Sequence, residues 1–299
     1  MKIEVNTIND VFFLSADHAS PEVMRFKHGN AWVSFSAQEM YRSVRDLARA
    51  FESWGMQKGD RIALISENRP EWAITDFACL SRGLVDVPIY PTLTAEQTAY
   101  IVADSGARIA VVSNQAQLHK MLSILPQTKV ERVLVMDDID HPAAMKLSLI
   151  TNSNTFERDP AFEAHSHGIQ PDDLASIIYT SGTTGTPKGV MLTHGNIASN
   201  LRGTSEVFKW SSGPGYVSFL PLSHITARHV DYVMFSCGIG ITYCPDFNDL
   251  AQLLQEVRPH NFVSVPRVYE KIRQEAERRG RNGWKSAIYK WAMRVGSRH

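Results

Sequence analysis

Between residues 61 and 136, short apolar runs alternate with helix-like stretches, and few folds accommodate that order. Ile62–Ser66 is apolar and precedes the helical stretch Trp72–Arg82. Val85–Ile89 reads as a strand. Thr94–Asp104 opens with Thr94 and Glu96, as a helix N-terminus should. Arg108–Val112, Gln115–Leu125 and Arg132–Met136 continue as strand, helix and strand. Alternation of this kind favours parallel strands joined by crossover helices, so the fold class is α/β. Asp137–Asp173 breaks the pattern: it is weakly periodic and rich in Asp, Ser, Asn and His, which predicts an irregular surface connection. The alternation then resumes. Leu174–Tyr179, Tyr216–Leu220, Ile239–Tyr243 and Phe262–Val265 read as strands. Asn196–Phe208, Asn248–Val257 and Arg267–Arg278 read as helices.

The segment Thr180–Gly189 follows the strand at Leu174–Tyr179 and holds three glycines, four threonines, one serine and one lysine in ten residues. Gly182, Gly185 and Gly189 permit backbone angles at which consecutive N–H groups converge on phosphate oxygens. The hydroxyls of Thr180, Ser181, Thr183, Thr184 and Thr186 add donors with little bulk. Lys188 supplies a positive charge on a long stem that can follow a departing pyrophosphate. A flexible polar turn between two strands is the plainer alternative, but it has no use for five hydroxyls and a lysine. The P-loop of nucleotide triphosphatases is excluded, because it ends in Gly-Lys-Ser/Thr. Here Pro187 precedes the lysine and Gly189 follows it.

Lys+Arg and Asp+Glu are equal at 31 each, so the net charge of zero points to no nucleic-acid partner. The distribution is uneven. Arg258–His299 carries 11 basic and 3 acidic residues, a local excess of eight, and the remainder carries the opposite excess. A solvated helical face explains this as well as contact with anionic lipid or the phosphates of a nucleotide carrier. Three cysteines, Cys79, Cys237 and Cys244, form no disulfide framework and have no metal-ligand spacing, which fits a reducing cytosol. Tyr232–Cys244, the longest near-apolar run, is too short for a bilayer span of about 20 residues. Trp284, Ile288, Trp291 and Val295 form one stripe of an amphipathic helix that needs covering. Arg228 and His229 follow His224 on one expected helix, where an exposed polar face and an approach to phosphate are both open readings.

Tyr179–Val190 resembles the signature loop of the adenylate-forming superfamily of acyl- and aryl-CoA synthetases, adenylation domains and luciferases. Gly59–Leu64, Glu67-Asn-Arg-Pro-Glu-Trp72 and Pro88–Gln97 are similar to stretches of that family. Leu220-Pro-Leu-Ser-His-Ile225 and Val265-Pro-Arg-Val-Tyr-Glu-Lys-Ile272 are most similar to its long-chain fatty acyl-CoA synthetase branch. The resemblance implies a two-step reaction. A fatty acid carboxylate attacks the α-phosphate of Mg·ATP to give acyl-adenylate and pyrophosphate, and the thiol of CoA then displaces AMP. It implies that Thr180, Ser181, Gly182, Thr183, Thr184, Gly185, Thr186 and Lys188 hold phosphate, with Thr180 also in the Mg2+ shell. His224 falls where a donor or aromatic orients the attack. Arg267 lies in the branch's Val-Pro-Arg segment, with an ion pair and a substrate contact both open.

The resemblance also implies two face-to-face α/β subdomains. Residues 61–193 form the first and end in the phosphate loop; residues 1–60 and 194–299 contribute to the second, with the lid domain absent. The family's Tyr-Gly-x-Thr-Glu and Thr-Gly-Asp motifs and its lid lysine are not in this sequence. The expectation is therefore an N-terminal fragment, inactive alone, or one half of a split ligase. A non-catalytic binding protein on a degenerate scaffold is the alternative from another class. Self-association through open sheet edges and a cytoplasmic location, in peripheral contact with the inner membrane surface, complete the expectations.

Overall fold

The structure is a computed structural model that describes residues 3–29, 31–180, 186–210, 215–280 and 285–296. It divides into two compact units, Met1–Asn261 and Phe262–His299. The first unit begins with α1 (Ile8–Asp17), β1 (Met24–His28), β2 (Ala31–Phe35) and α2 (Ala37–Ser53). Next come β3 (Arg61–Ile65), α3 (Pro70–Ser81), β4 (Val85–Ile89), α4 (Ala95–Ser105), β5 (Ile109–Val112), α5 (Gln115–Ile124) and β6 (Arg132–Val135). A two-residue strand, β7 (Met145–Lys146), and the short helices α6 (Ser148–Thr151) and α7 (Pro160–His167) follow. β8 (Leu174–Thr180), β9 (Lys188–Thr193), α8 (His194–Val207), β10 (Tyr216–Ser218), α9 (Ile225–Ser236), β11 (Ile241–Tyr243) and α10 (Leu250–Val257) complete the unit.

The larger sheet has the order β7-β6-β5-β3-β4-β8-β9 and is parallel except for β9, which returns antiparallel to β8. The chain moves from β3 to β4, then crosses back to place β5 on the other side of β3. The carboxyl ends of β3 and β4 therefore flank a topological switch point, where open α/β sheets form a crevice. The smaller sheet, β10-β11-β1-β2, is assembled across sequence: Met24 of β1 lies in parallel register with Ile241 of β11. One face of the larger sheet is covered by α4 and α5, whose Ile101, Val102, Leu118 and Met121 pack on Ala63, Ile65, Val87 and Val112. Each fully buried aliphatic side chain of this kind is worth roughly 1.5–3 kcal/mol.

α3 packs against β3 and β4 of the larger sheet and also against β1 of the smaller. Phe12 of α1 meets the rings of Phe77, Tyr41 and Phe162 with centroids 5.5, 5.9 and 6.2 Å away, and Phe77 meets Phe235 of α9 at 5.3 Å. The helices α1, α2, α3 and α9 thus form an aromatic layer shared by the two sheets. Their ends are fixed by ordinary chemistry. Ser36 and Glu39 form a capping box for α2, Thr94 and Gln97 one for α4, and Thr193 and Asn196 one for α8. The partner of Thr94 is thus Gln97, while Glu96 sits in the first turn. Gly106, at φ +63°, ends α4 in the left-handed conformation that glycine tolerates best.

Three sequence expectations are corrected. Asp137–Asp173 holds β7, α6 and α7 within its irregular course; these elements are too short to impose a period on the sequence. Phe262–Val265 is not a strand: Asn261 makes one parallel bridge to Tyr216, and the chain then continues without strand geometry to Pro266. The third concerns Arg228, described below. The second unit consists of α11 (Pro266–Gly280) and α12 (Lys285–Gly296), which pack together. Ile288, Trp291 and Val295 of the expected stripe are exposed, and Trp284 lies outside the described residues. Among the described residues no helix is long and apolar enough to cross a membrane.

Candidate active site

β8 and β9 form a two-stranded arm at the end of the larger sheet, and Thr180 stands opposite Lys188 as its last rung. Thr180, Thr186 and Lys188 are exposed, whereas Ser181, Gly182, Thr183, Thr184 and Gly185 lie outside the described residues. Lys188 makes no ion pair among the described residues. Because β8 runs parallel to β4, Thr180 emerges at the same carboxyl edge as the switch point. The arm is braced by α4: the Tyr100 hydroxyl donates to the Pro187 carbonyl at 3.1 Å and the Tyr179 hydroxyl to Asp104 Oδ2 at 2.6 Å. The two rings meet edge to face at 6.4 Å. Burial and the neighbouring Asp104 carboxylate push the Tyr179 phenol up, so it stays a donor. Gly189 is needed for contact rather than for φ. A Cβ there would stand 2.7 Å from Ile177 Cγ2 and 3.2 Å from Tyr179 Cζ.

His224 is exposed and caps α9. Its Nδ1 accepts from the Thr226 amide at 3.1 Å. An accepting Nδ1 in a neutral ring leaves Nε2 as the N–H donor, so the cap selects the tautomer. Buried groups anchor the chain on both sides of this histidine. Before it, Asn68 donates to the Leu220 carbonyl at 2.8 Å and to Ser218 Oγ at 3.3 Å, and accepts from the Leu222 amide at 3.2 Å. After it comes Arg228, one helical turn and about 6 Å along the axis.

Arg228 corrects both open readings, since it is neither on an exposed face nor within reach of a ligand. It is 1% exposed, and its guanidinium donates to Asp76, to Asp86, and to Ser176 of β8 at 2.9 Å, with Trp72 stacked against it. Burial pushes Asp76 up to about 7 against the pull of Arg228, and burial raises Asp86 as well. The guanidinium stays charged throughout. The result is a tie from the helix carrying His224 to the strand carrying the loop. Neither Asn68 nor Arg228 could be assigned this role from the sequence. The only signal was the position of Asn68 inside Glu67–Trp72.

Two cavities flank these elements. One of about 370 Å3 lies over the switch point, between Ser66, Glu67 and Asn68 after β3, Tyr90 and Thr92 after β4, and Phe219 before His224. The other, about 320 Å3, is mainly apolar and lies between α8 and α9, lined by Leu192, Ile197, Ile225, Thr226 and His229. The second cavity adjoins the base of the arm: Leu192 pairs with Ser176, four rungs and about 13 Å from Thr180 and Lys188. No cluster of three or more His, Cys, Asp or Glu that could hold a metal is present among the described residues. The hydroxyl of Thr180 offers one hard oxygen ligand. That suits a Mg2+ ion whose other ligands are phosphate oxygens and water, not a resident metal.

The sequence pattern of the AMP-binding enzymes matches residues 15–292, and the chain belongs to this family. It is 32% identical over 260 residues to the long-chain-fatty-acid–CoA ligase FadD15 of Mycobacterium bovis, covering 86% of this chain and 43% of that protein. It is 36% identical over 248 residues to the peroxisomal long chain acyl-CoA synthetase 6 of Arabidopsis thaliana, covering 81% and 35%. The chain thus spans less than half the length of these curated relatives. Among solved structures, the N-terminal domain of FACL13 from Mycobacterium tuberculosis superposes with a TM-score of 0.74 at 23% identity, over 92% of this chain and 65% of that one. The α/β architecture is that of the N-terminal domains of such ligases.

Proposed function

We propose that this chain supplies the phosphate-binding and acyl-positioning part of a ligase that activates a fatty acid with ATP and passes it to CoA. The observation that carries the reading is the arm end. A hydroxyl and a lysine with no ion pair among the described residues face each other across a braced hairpin at the carboxyl edge, at the two ends of the glycine- and hydroxyl-rich segment. In this reading Thr180 to Lys188 hold the β- and γ-phosphates, and Mg2+ arrives with ATP and is touched by Thr180. Lys188 balances the charge of the departing pyrophosphate. The carboxylate end of the acid lies by His224, whose Nε2–H donates to it, and the alkyl chain occupies the apolar cavity between α8 and α9. Such a site works by positioning and charge stabilisation, with no covalent step on the protein. The identity of the acid as long-chain, the CoA step and a cytoplasmic setting with peripheral lipid contact belong to the same proposal. The names of the relatives and the basic 258–299 segment support them.

Titration calorimetry with Mg·ATP tests the core of it. A charge-assisted contact is worth roughly 1.5–3 kcal/mol, so Lys188→Ala should weaken binding by about tenfold or more. Equal affinity in parent and variant, or no heat with the parent, would remove the phosphate-binding assignment.

A further inference from the structure

The apolar cavity between α8 and α9 does not stand alone. A second, shallower groove of about 320 Å3 is lined by Ser199, Asn200, Gly203, Thr204, Val207 and Phe208. Asn200 lines both, and the two meet where Thr204 of α8 faces His229 of α9. Thr204 Oγ1 and His229 Nε2 are hydrogen-bonded at 2.8 Å. Each contributes to a different space: His229 to the first cavity, Thr204 to the groove. Beyond the pair, Val207 and Phe208 are 74% and 57% exposed, an apolar rim with no cover among the described residues.

We propose that the Thr204–His229 pair is a partition that limits how long an alkyl chain this site accepts, which makes both residues determinants of chain-length specificity. This deepens the fatty acid reading above and rests on it. Both side chains are half-buried, and burial lowers the His229 pKa. A neutral imidazole and a hydroxyl satisfy one another, so the pair closes the end of an apolar space without leaving a charge there. Replacing either residue by alanine removes the shared hydrogen bond and most of the partition. The cavity and the groove then join into one channel running from beside His224 to Val207 and Phe208. An acid too long for the first cavity has to leave its distal methylenes in water. In the joined channel it lays them on the groove.

The experiment is displacement of a fluorescent fatty acid from the 299-residue protein by octanoate, dodecanoate and hexadecanoate. Thr204→Ala and His229→Ala should each gain about tenfold in affinity for hexadecanoate, the transfer value of two newly buried methylenes. Octanoate binding should be unchanged, and Thr204→Ser, which keeps the hydroxyl, should follow the parent. Ile197→Asp in the wall of the first cavity should lose all three acids, by circular dichroism without loss of fold. If both alanine variants keep the parent's length profile while Ile197→Asp loses binding, the partition is refuted and the acyl cavity stands. If the parent binds none of the acids, or Ile197→Asp binds all of them as the parent does, the acyl reading of this cavity fails and the partition fails with it.

Discussion

His194 shows how a residue outside the reaction can govern the conditions under which the site exists. It opens α8, directly after the arm, and is fully buried. Its Nδ1 accepts from the Ile8 amide at 3.3 Å, and Nε2 has no hydrogen-bond partner among the described residues. Burial therefore depresses its pKa from 6.5 to about 4. The folded value lies below the unfolded one, so between them the unfolded chain holds the extra proton. Stability from this group is complete above pH 6.5 and falls as the pH drops toward 4, by up to about 3 kcal/mol. Thermal unfolding followed from pH 7.5 to 4.5 should show this loss, and His194→Gln should flatten it. An unchanged slope in the variant would contradict the assignment. Arg228 carries the complementary lesson. From sequence it was one charged residue on a helix beside a candidate site. Only tertiary structure, which brings Asp76, Asp86 and Ser176 from three other elements around it, decides that it is buried. Nothing in residues 224–229 encodes that environment.

At the level of elements, the crossover units between residues 61 and 136 were legible because each strand is buried on both faces and each helix carries its own start signal. The return strand β9 was not. Gly189, Val190 and Met191 are exposed, so no burial period marks a strand there, and antiparallel pairing to β8 is a tertiary fact. The same holds for β1, whose parallel partner β11 lies more than two hundred residues away. The residue types of the loop are plain in the sequence, whereas the bracing of the arm by Tyr100, Asp104 and Tyr179 is not, since α4 reaches it only in the fold. The support has little slack. Gly189→Ala places a methyl against Ile177 and Tyr179 and should cost about 1–3 kcal/mol through overpacking. Amide exchange should show protection lost first in β9. A variant with the parent's urea midpoint and exchange pattern would mean that the arm has room to spare.

Over the whole molecule, two sheets share one layer of helices, and Asn68 and Arg228 tie the second sheet's helix α9 and its approach to the first. Positions that matter to the site are thus set from both sheets. In the proposed reading these elements position the triphosphate and the acid, and a continuous pyrophosphate assay with ATP and fatty acid measures whether they also suffice for adenylation: sustained release would show that they do. The geometry of the arm has one more implication. Since β9 touches no strand but β8 among the described residues, Thr180 and Lys188 stay across from each other whatever number of residues joins them. In the proposed phosphate-binding reading, insertions or deletions between them reshape the grip on a triphosphate while the parallel sheet keeps its register. This separation would let a lineage retune nucleotide affinity by loop length alone, without redesigning the scaffold beneath.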